Sequence, residues 1–265
     1  MKQSLNRIAA MTARYYYLLR SSWLRLLELI YWPAMQMLVW GFLYTYLYDS
    51  KSSMASTGGM LLGAVLLWDV LFRGQLGFTF TFLEEIWSRN LANLMMSPLQ
   101  PAELAASLMG ISLIRLLIGT LPVTLLAFLL FGFNIYALGF GLIAFFINLV
   151  LTGWAIGLVV SGLIIRQGLG AESLAYSIMI LLLPLCCVYY PVWVLPVWLQ
   201  AAAWSLTPTY VFEGMRAILL DGIFRADLMI ECFALNLVYL AIGFTTFMLL
   251  LRSARHKGVL LTMGE

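Results

Sequence analysis

Charge is scarce in this chain. Asp, Glu, Lys and Arg make up 10% of its 265 residues, against 63% hydrophobic ones. A soluble domain carries roughly 25% charged residues, so too little polar side chain is left here to coat a water-facing surface. Soluble enzyme folds are excluded. No stretch is polar enough for a soluble domain of about 50 residues, so a single membrane domain is expected throughout. His256 is the one histidine, in a basic tail, and Cys186, Cys187 and Cys232 lie in apolar sequence without CxxC spacing. Neither a metal site nor a disulfide framework is therefore expected. There is no G-x-x-x-x-G-K-[ST] loop, and none of the three lysines follows a glycine-rich turn, so no ATPase loop is expected in this chain. No nucleophile stands with a base, and catalytic residues are expected to be absent. A net charge of +3 gives no sign of a nucleic-acid surface. The first 25 residues lack the continuous apolar core of a signal peptide.

What the chain has is apolar runs of membrane-spanning length. Six segments, at about 28–48, 58–83, 104–131, 137–165, 172–190 and 229–251, are predicted to span as helices. Ahead of them, Leu5, Ile8, Tyr15, Leu19 and Leu26 gather on one helix face flanked by Lys2, Arg7, Arg14, Arg20 and Arg25. Residues 1–27 thus read as an amphipathic helix at the inner membrane surface, in contact with lipid. With the N-terminus inside, Arg89, Arg166, Arg252, Arg255 and Lys257 are also cytosolic, leaving Lys51, Arg216 and Arg225 outside. Both termini are then cytosolic. The outer region 191–227 is broken by Pro191, Pro196 and Pro208 into pieces too short or too charged to cross, and re-entrant or interfacial helices are expected there.

The inner loop runs Glu84-Glu85-Ile86-Trp87-Ser88-Arg89-Asn90-Leu91-Ala92-Asn93-Leu94-Met95-Met96-Ser97-Pro98-Leu99-Gln100-Pro101-Ala102-Glu103. It resembles the loop of ABC-2 type exporter permeases that joins spans two and three, a glutamate-led helix ending in Ser-Pro-Leu-x-Pro-x-Glu. Thr207-Pro208-Thr209-Tyr210-Val211-Phe212-Glu213-Gly214-Met215-Arg216 is similar to the family's Pro, Tyr and Arg segment, although one residue rather than two separates Pro208 from Tyr210. The resemblance implies an all-α export permease of the bacterial inner membrane. It would work with a second permease half, expected as a homodimer, and with cytosolic nucleotide-binding subunits that hold ATP and magnesium. An amphipathic, lipid-linked, glycan or drug-like molecule would move outward. Residues 84–101 would form the contact with the ATPase: a short helix capped by Glu84 and Glu85, carrying Arg89, exposing Trp87, Leu91 and Leu94, stopped by Ser97-Pro98 and made stiff at its exit by Pro98 and Pro101.

Asp69 and Arg73 lie four apart in span two, and Arg115 sits in span three at a similar or shallower depth. Ionised groups there require partners or water. They either line a path, with Arg115 a surplus positive charge, or only fasten spans two and three together. Trp193, Trp198, Trp204 and Tyr210 belong to an outer aromatic group that is either an interfacial belt or a stacking surface for substrate. Two competing functions remain at this point, a gradient-driven carrier using Asp69 and a non-transporting membrane scaffold.

Overall fold

The computed structural model describes residues 2–49, 55–168, 170 and 172–256. Lys51 and Lys257, and the side chains of Lys2, Tyr48 and His256, lie outside the described residues. The elements are α1 (Lys2–Arg20), α2 (Trp23–Asp49), α3 (Ala55–Trp87), α4 (Leu91–Met96), α5 (Pro101–Phe131), α6 (Phe140–Gln167), α7 (Leu174–Leu185), α8 (Val197–Trp204), α9 (Thr207–Asp221) and α10 (Ala226–His256). Single 3-10 turns cover Ile135–Leu138 and Val192–Val194. All regular structure among the described residues is helical. A helix satisfies its own backbone polar groups, which apolar surroundings require.

Among the described residues, five helices are long and apolar enough to cross a membrane: Trp23–Tyr46, Gly59–Trp87, Pro101–Phe131, Phe140–Gln167 and Ala226–Arg255. The chain is a multi-pass membrane protein. The expected fifth span, 172–190, is instead the 12-residue α7, about 18 Å long at 1.5 Å per residue. Apolar residues continue beyond it, but Pro184 brings no amide hydrogen to its last turn and Cys187 adopts φ 53°, so the helix stops. Hydropathy could not register that stop.

α3 forms the centre, packed against α2, α5 and α6. Its approach to α6 depends on missing side chains: a Cβ on Gly153 would stand 2.9 Å from the Gln75 backbone nitrogen, and one on Gly157 would stand 3.1 Å from Phe78. α2, α3, α5 and α6 alternate in direction, whereas α10 runs parallel to α6, with Asn236 against Asn148 near their starts and Phe247 against Gly162 near their ends. The end of α3, the start of α5 and α1 meet at one side, through Arg14–Glu85 and Arg7–Glu103 ion pairs. We refer to this as the basic side. At the opposite side, Trp40 of α2 stacks on Tyr189 at 4.9 Å, and Gly63 of α3 packs against Met215 of α9.

Deep between α6, α9 and α10 lies an uncharged polar network. Thr152 shares hydrogen bonds with Thr207 and with Asn236 Oδ1, both at 2.8 Å, and Asn236 Nδ2 donates to Asn148 Oδ1 at 3.0 Å. The start of α9 is thereby tied to the middle of α6, while its far end reaches Gly141 at the start of α6 through Ile218.

Candidate functional site

The Ser-Pro-Leu-Gln-Pro-Ala-Glu segment is a device for starting α5. Ser97 Oγ donates to the Leu94 carbonyl at 2.6 Å and accepts the Leu99 amide, which ends α4 and turns the chain. Pro101 occupies the first turn of α5, where no amide partner is lost. Glu103 accepts the Gln100 amide at 3.0 Å, completing a capping box. The same carboxylate receives Arg7 of α1, Nε at 2.8 Å and Nη2 at 2.5 Å.

Glu84 and Glu85 do not cap a separate helix. Both belong to α3, which continues to Trp87. Arg89 then adopts φ 52°, its amide donating to Ile86 O and the Asn90 amide to Glu85 O, which is a Schellman ending with arginine in the place glycine usually takes. α4 follows with only six residues.

The acidic pair faces inward. Glu85 is 2% exposed and receives Arg14 Nη1 at 2.5 Å and Asn90 Nδ2 at 2.7 Å. Glu84 accepts two hydrogen bonds of 3.0 Å from Arg115 and lies 3.9 Å from Arg25. Arg14 lies 5.4 Å from the ring centroid of Tyr15, which is buried against the bundle. Burial and the nearby Glu85 charge push the Tyr15 phenol up, so it stays neutral. Burial opposes the Arg14 charge most strongly of any single cause, but the Glu85 hydrogen bond, the Glu85 charge and the neighbouring Tyr15 together outweigh it and hold the guanidinium above its ordinary value. Leu91, expected to be exposed, is buried in the core, and Leu94 is half-buried. What the corner offers outward is Trp87, 46% exposed, and Met96, 78% exposed, with Ser88, Arg89, Asn93, Ser97 and Pro98 around them.

The intramembrane charges separate. Arg73 Nε donates to Asp69 Oδ2 at 2.7 Å, both on α3, and Arg73 Nη1 donates to the Leu29 carbonyl of α2 at 2.6 Å. The pair is therefore hydrogen-bonded to span one, while Arg73 also packs against Gly119 of span three. Arg115 is no surplus charge, because its long side chain reaches back to Glu84 at the basic side. Spacing along the chain placed Arg115 near Asp69, but it could not reveal a partner 31 residues away.

Of the outer aromatics, Trp204 and Tyr210 meet edge to face at 5.1 Å, while Trp193 and Trp198 stand exposed. Sequence reasoning missed the anchor of this region. Arg216 Nη2 donates at 2.9 Å both to the Cys187 carbonyl and to Glu213 Oε1, and Glu213 Oε1 also accepts the Val192 amide at 2.8 Å. It also missed Arg7 and Arg14 as partners of Glu103 and Glu85, although the basic face of α1 was the available signal.

The groups of the corner can bear ion pairs and a partner contact, and among the described residues no cluster of His, Cys, Asp and Glu could hold a metal. Comparison with curated proteins returns no match. Residues 10–220 match the family described as ABC-2 type transporter. The chain belongs to the ABC-2 type transporter family and is a transmembrane permease component of an ABC system, not itself an ATPase.

Proposed function

We propose that this chain is half of an ATP-driven exporter in a bacterial inner membrane, moving an amphipathic, lipid-linked, glycan or drug-like molecule outward. Two copies pair, and each engages a cytosolic subunit that binds ATP and magnesium. The basic side faces the cytosol, with both termini, in accord with the arginines gathered there. α7 and the apolar residues after it complete a sixth crossing. α8 and α9 form a re-entrant hairpin, a reading supported by the Thr207–Thr152 hydrogen bond halfway along α6.

One observation carries the ATPase contact. The acidic groups of the corner are occupied internally, yet Trp87, at the end of the long, buried α3, and Met96, at the end of the short α4 that follows, remain exposed. A soluble partner pressing there moves α3 directly, because Glu84 and Glu85 lock that end to α1, α2 and α5. The pairing of Asp69 with Arg73 weighs against a carrier that uses Asp69. In the reconstituted complex with its nucleotide-binding subunit, Trp87→Ala/Met96→Ala is expected to cut substrate-linked ATP hydrolysis at least about tenfold, as loss of about 1.4 kcal/mol of coupling would. Membrane insertion should be normal. Unchanged coupling would contradict the contact.

A further inference from the structure

The Asp69–Arg73 pair has a third member that explains why it sits where it does. In a regular α-helix the carbonyl of residue 29 accepts the amide of residue 33. Residue 33 is proline, inside α2, and has no amide hydrogen. The carbonyl left without its helical donor is the one that receives Arg73 Nη1 at 2.6 Å. Asp69, at 2.7 Å from Arg73 Nε, balances the charge that Arg73 brings into this apolar level. The third wall is Gly119 of α5: a Cβ there would stand 2.7 Å from Arg73 Nη1 and 2.8 Å from the Leu29 oxygen. Three helices close on one hydrogen bond.

We propose that Arg73 is a positioning residue that replaces the amide missing at Pro33 and makes 29–33 a pivot of α2, fastened to α3 and seated on Gly119. A helix lacking this internal bond can bend there without giving up a further backbone hydrogen bond. Because the free carbonyl is held from α3, the direction of the bend is set by α3. The charges belong to a joint within the bundle and do not contact the transported molecule. This inference stands apart from the identity of substrate and ATPase.

The test uses the full chain in lipid nanodiscs, with spin labels at Val39 on α2 and Ile230 on α10, two exposed positions outside the joint. Asp69→Asn/Arg73→Met removes donor and counter-charge together. It is expected to lower Tm by about 5 °C, the shift expected for an unpaired buried carbonyl, and to broaden the distance distribution. Adding Pro33→Ala returns an amide to the Leu29 carbonyl, and is expected to recover most of the Tm and narrow the distribution. Charges that only line a path, or only pack, would leave Pro33→Ala with an independent, additive effect. Failure of Pro33→Ala to rescue, or no change in the Asp69→Asn/Arg73→Met chain, overturns the proposal. Should that variant not assemble, Gly119→Ala, which keeps every charge, is expected to broaden the same distribution, and an unchanged distribution also overturns it.

Discussion

The two ends of the molecule are held by different chemistry. At the basic side, Glu84, Glu85 and Glu103 are each met by arginines from other helices, and several of these groups remain partly exposed. At the opposite end one buried arginine, Arg216, holds the backbone carbonyls of Cys187 and Val188, and the depth beneath it is tied by uncharged Thr and Asn side chains. Exposed ion pairs stabilise little individually. Their use at the basic side is geometric, since they set the directions of α1, α3 and α5 around one corner. Where the chain runs without regular structure among apolar groups, every carbonyl needs a donor, and Arg216 supplies two.

This contrast is broken most severely at Arg216. Replacing it by methionine leaves two carbonyls without this donor and the Glu213 carboxylate without its counter-charge, with only the Val192 amide still bonded to it, and should cost about 3 kcal/mol, the range for disrupting a buried pair. Denaturant unfolding in detergent would register it, and a change below about 1 kcal/mol would mean that the hairpin is held elsewhere. Glu85→Gln should be milder, about 1 kcal/mol after allowance for the exposed Arg14. Its signature is local: limited proteolysis should cut α1 sooner, while the 187–216 region keeps its protection. Equal loosening of both regions would erase the distinction between the ends. The smallest effect is expected at Arg89, which takes a left-handed conformation better suited to glycine. Arg89→Gly should change stability by no more than about 1 kcal/mol, with gain favoured, while weakening any ATPase contact made by the guanidinium. Substantial destabilisation would show that the Arg89 side chain itself holds the turn.

Much of this was legible in the sequence where the signal is local. The apolar runs identified the long helices, the face of α1 identified Tyr15 and Leu19, and the i,i+4 spacing identified Asp69 with Arg73. Signals failed where the partner is distant. Arg14 and Glu85 are 71 residues apart, Arg73 and Leu29 are 44 apart, and no periodicity links them. The same blindness made Glu85 look like a contact residue, although its carboxylate is consumed inside the corner, and placed Leu91 on a surface it does not reach. The short α7 shows a different limit: hydropathy measures how apolar a segment is, whereas Pro184 and the φ of Cys187 decide where its helix ends.

The central claim is that the exposed corner, and not the opposite end, receives the nucleotide-binding subunit. A photo-crosslinking amino acid placed at Met96, with a control at Trp198, tests it in cells that express the chain with the nucleotide-binding subunit proposed for it. Both side chains are more than 70% exposed, at opposite ends. An ATPase adduct from Met96 and none from Trp198 is the expected result. An adduct from Trp198, or none from Met96 in an active complex, would contradict it.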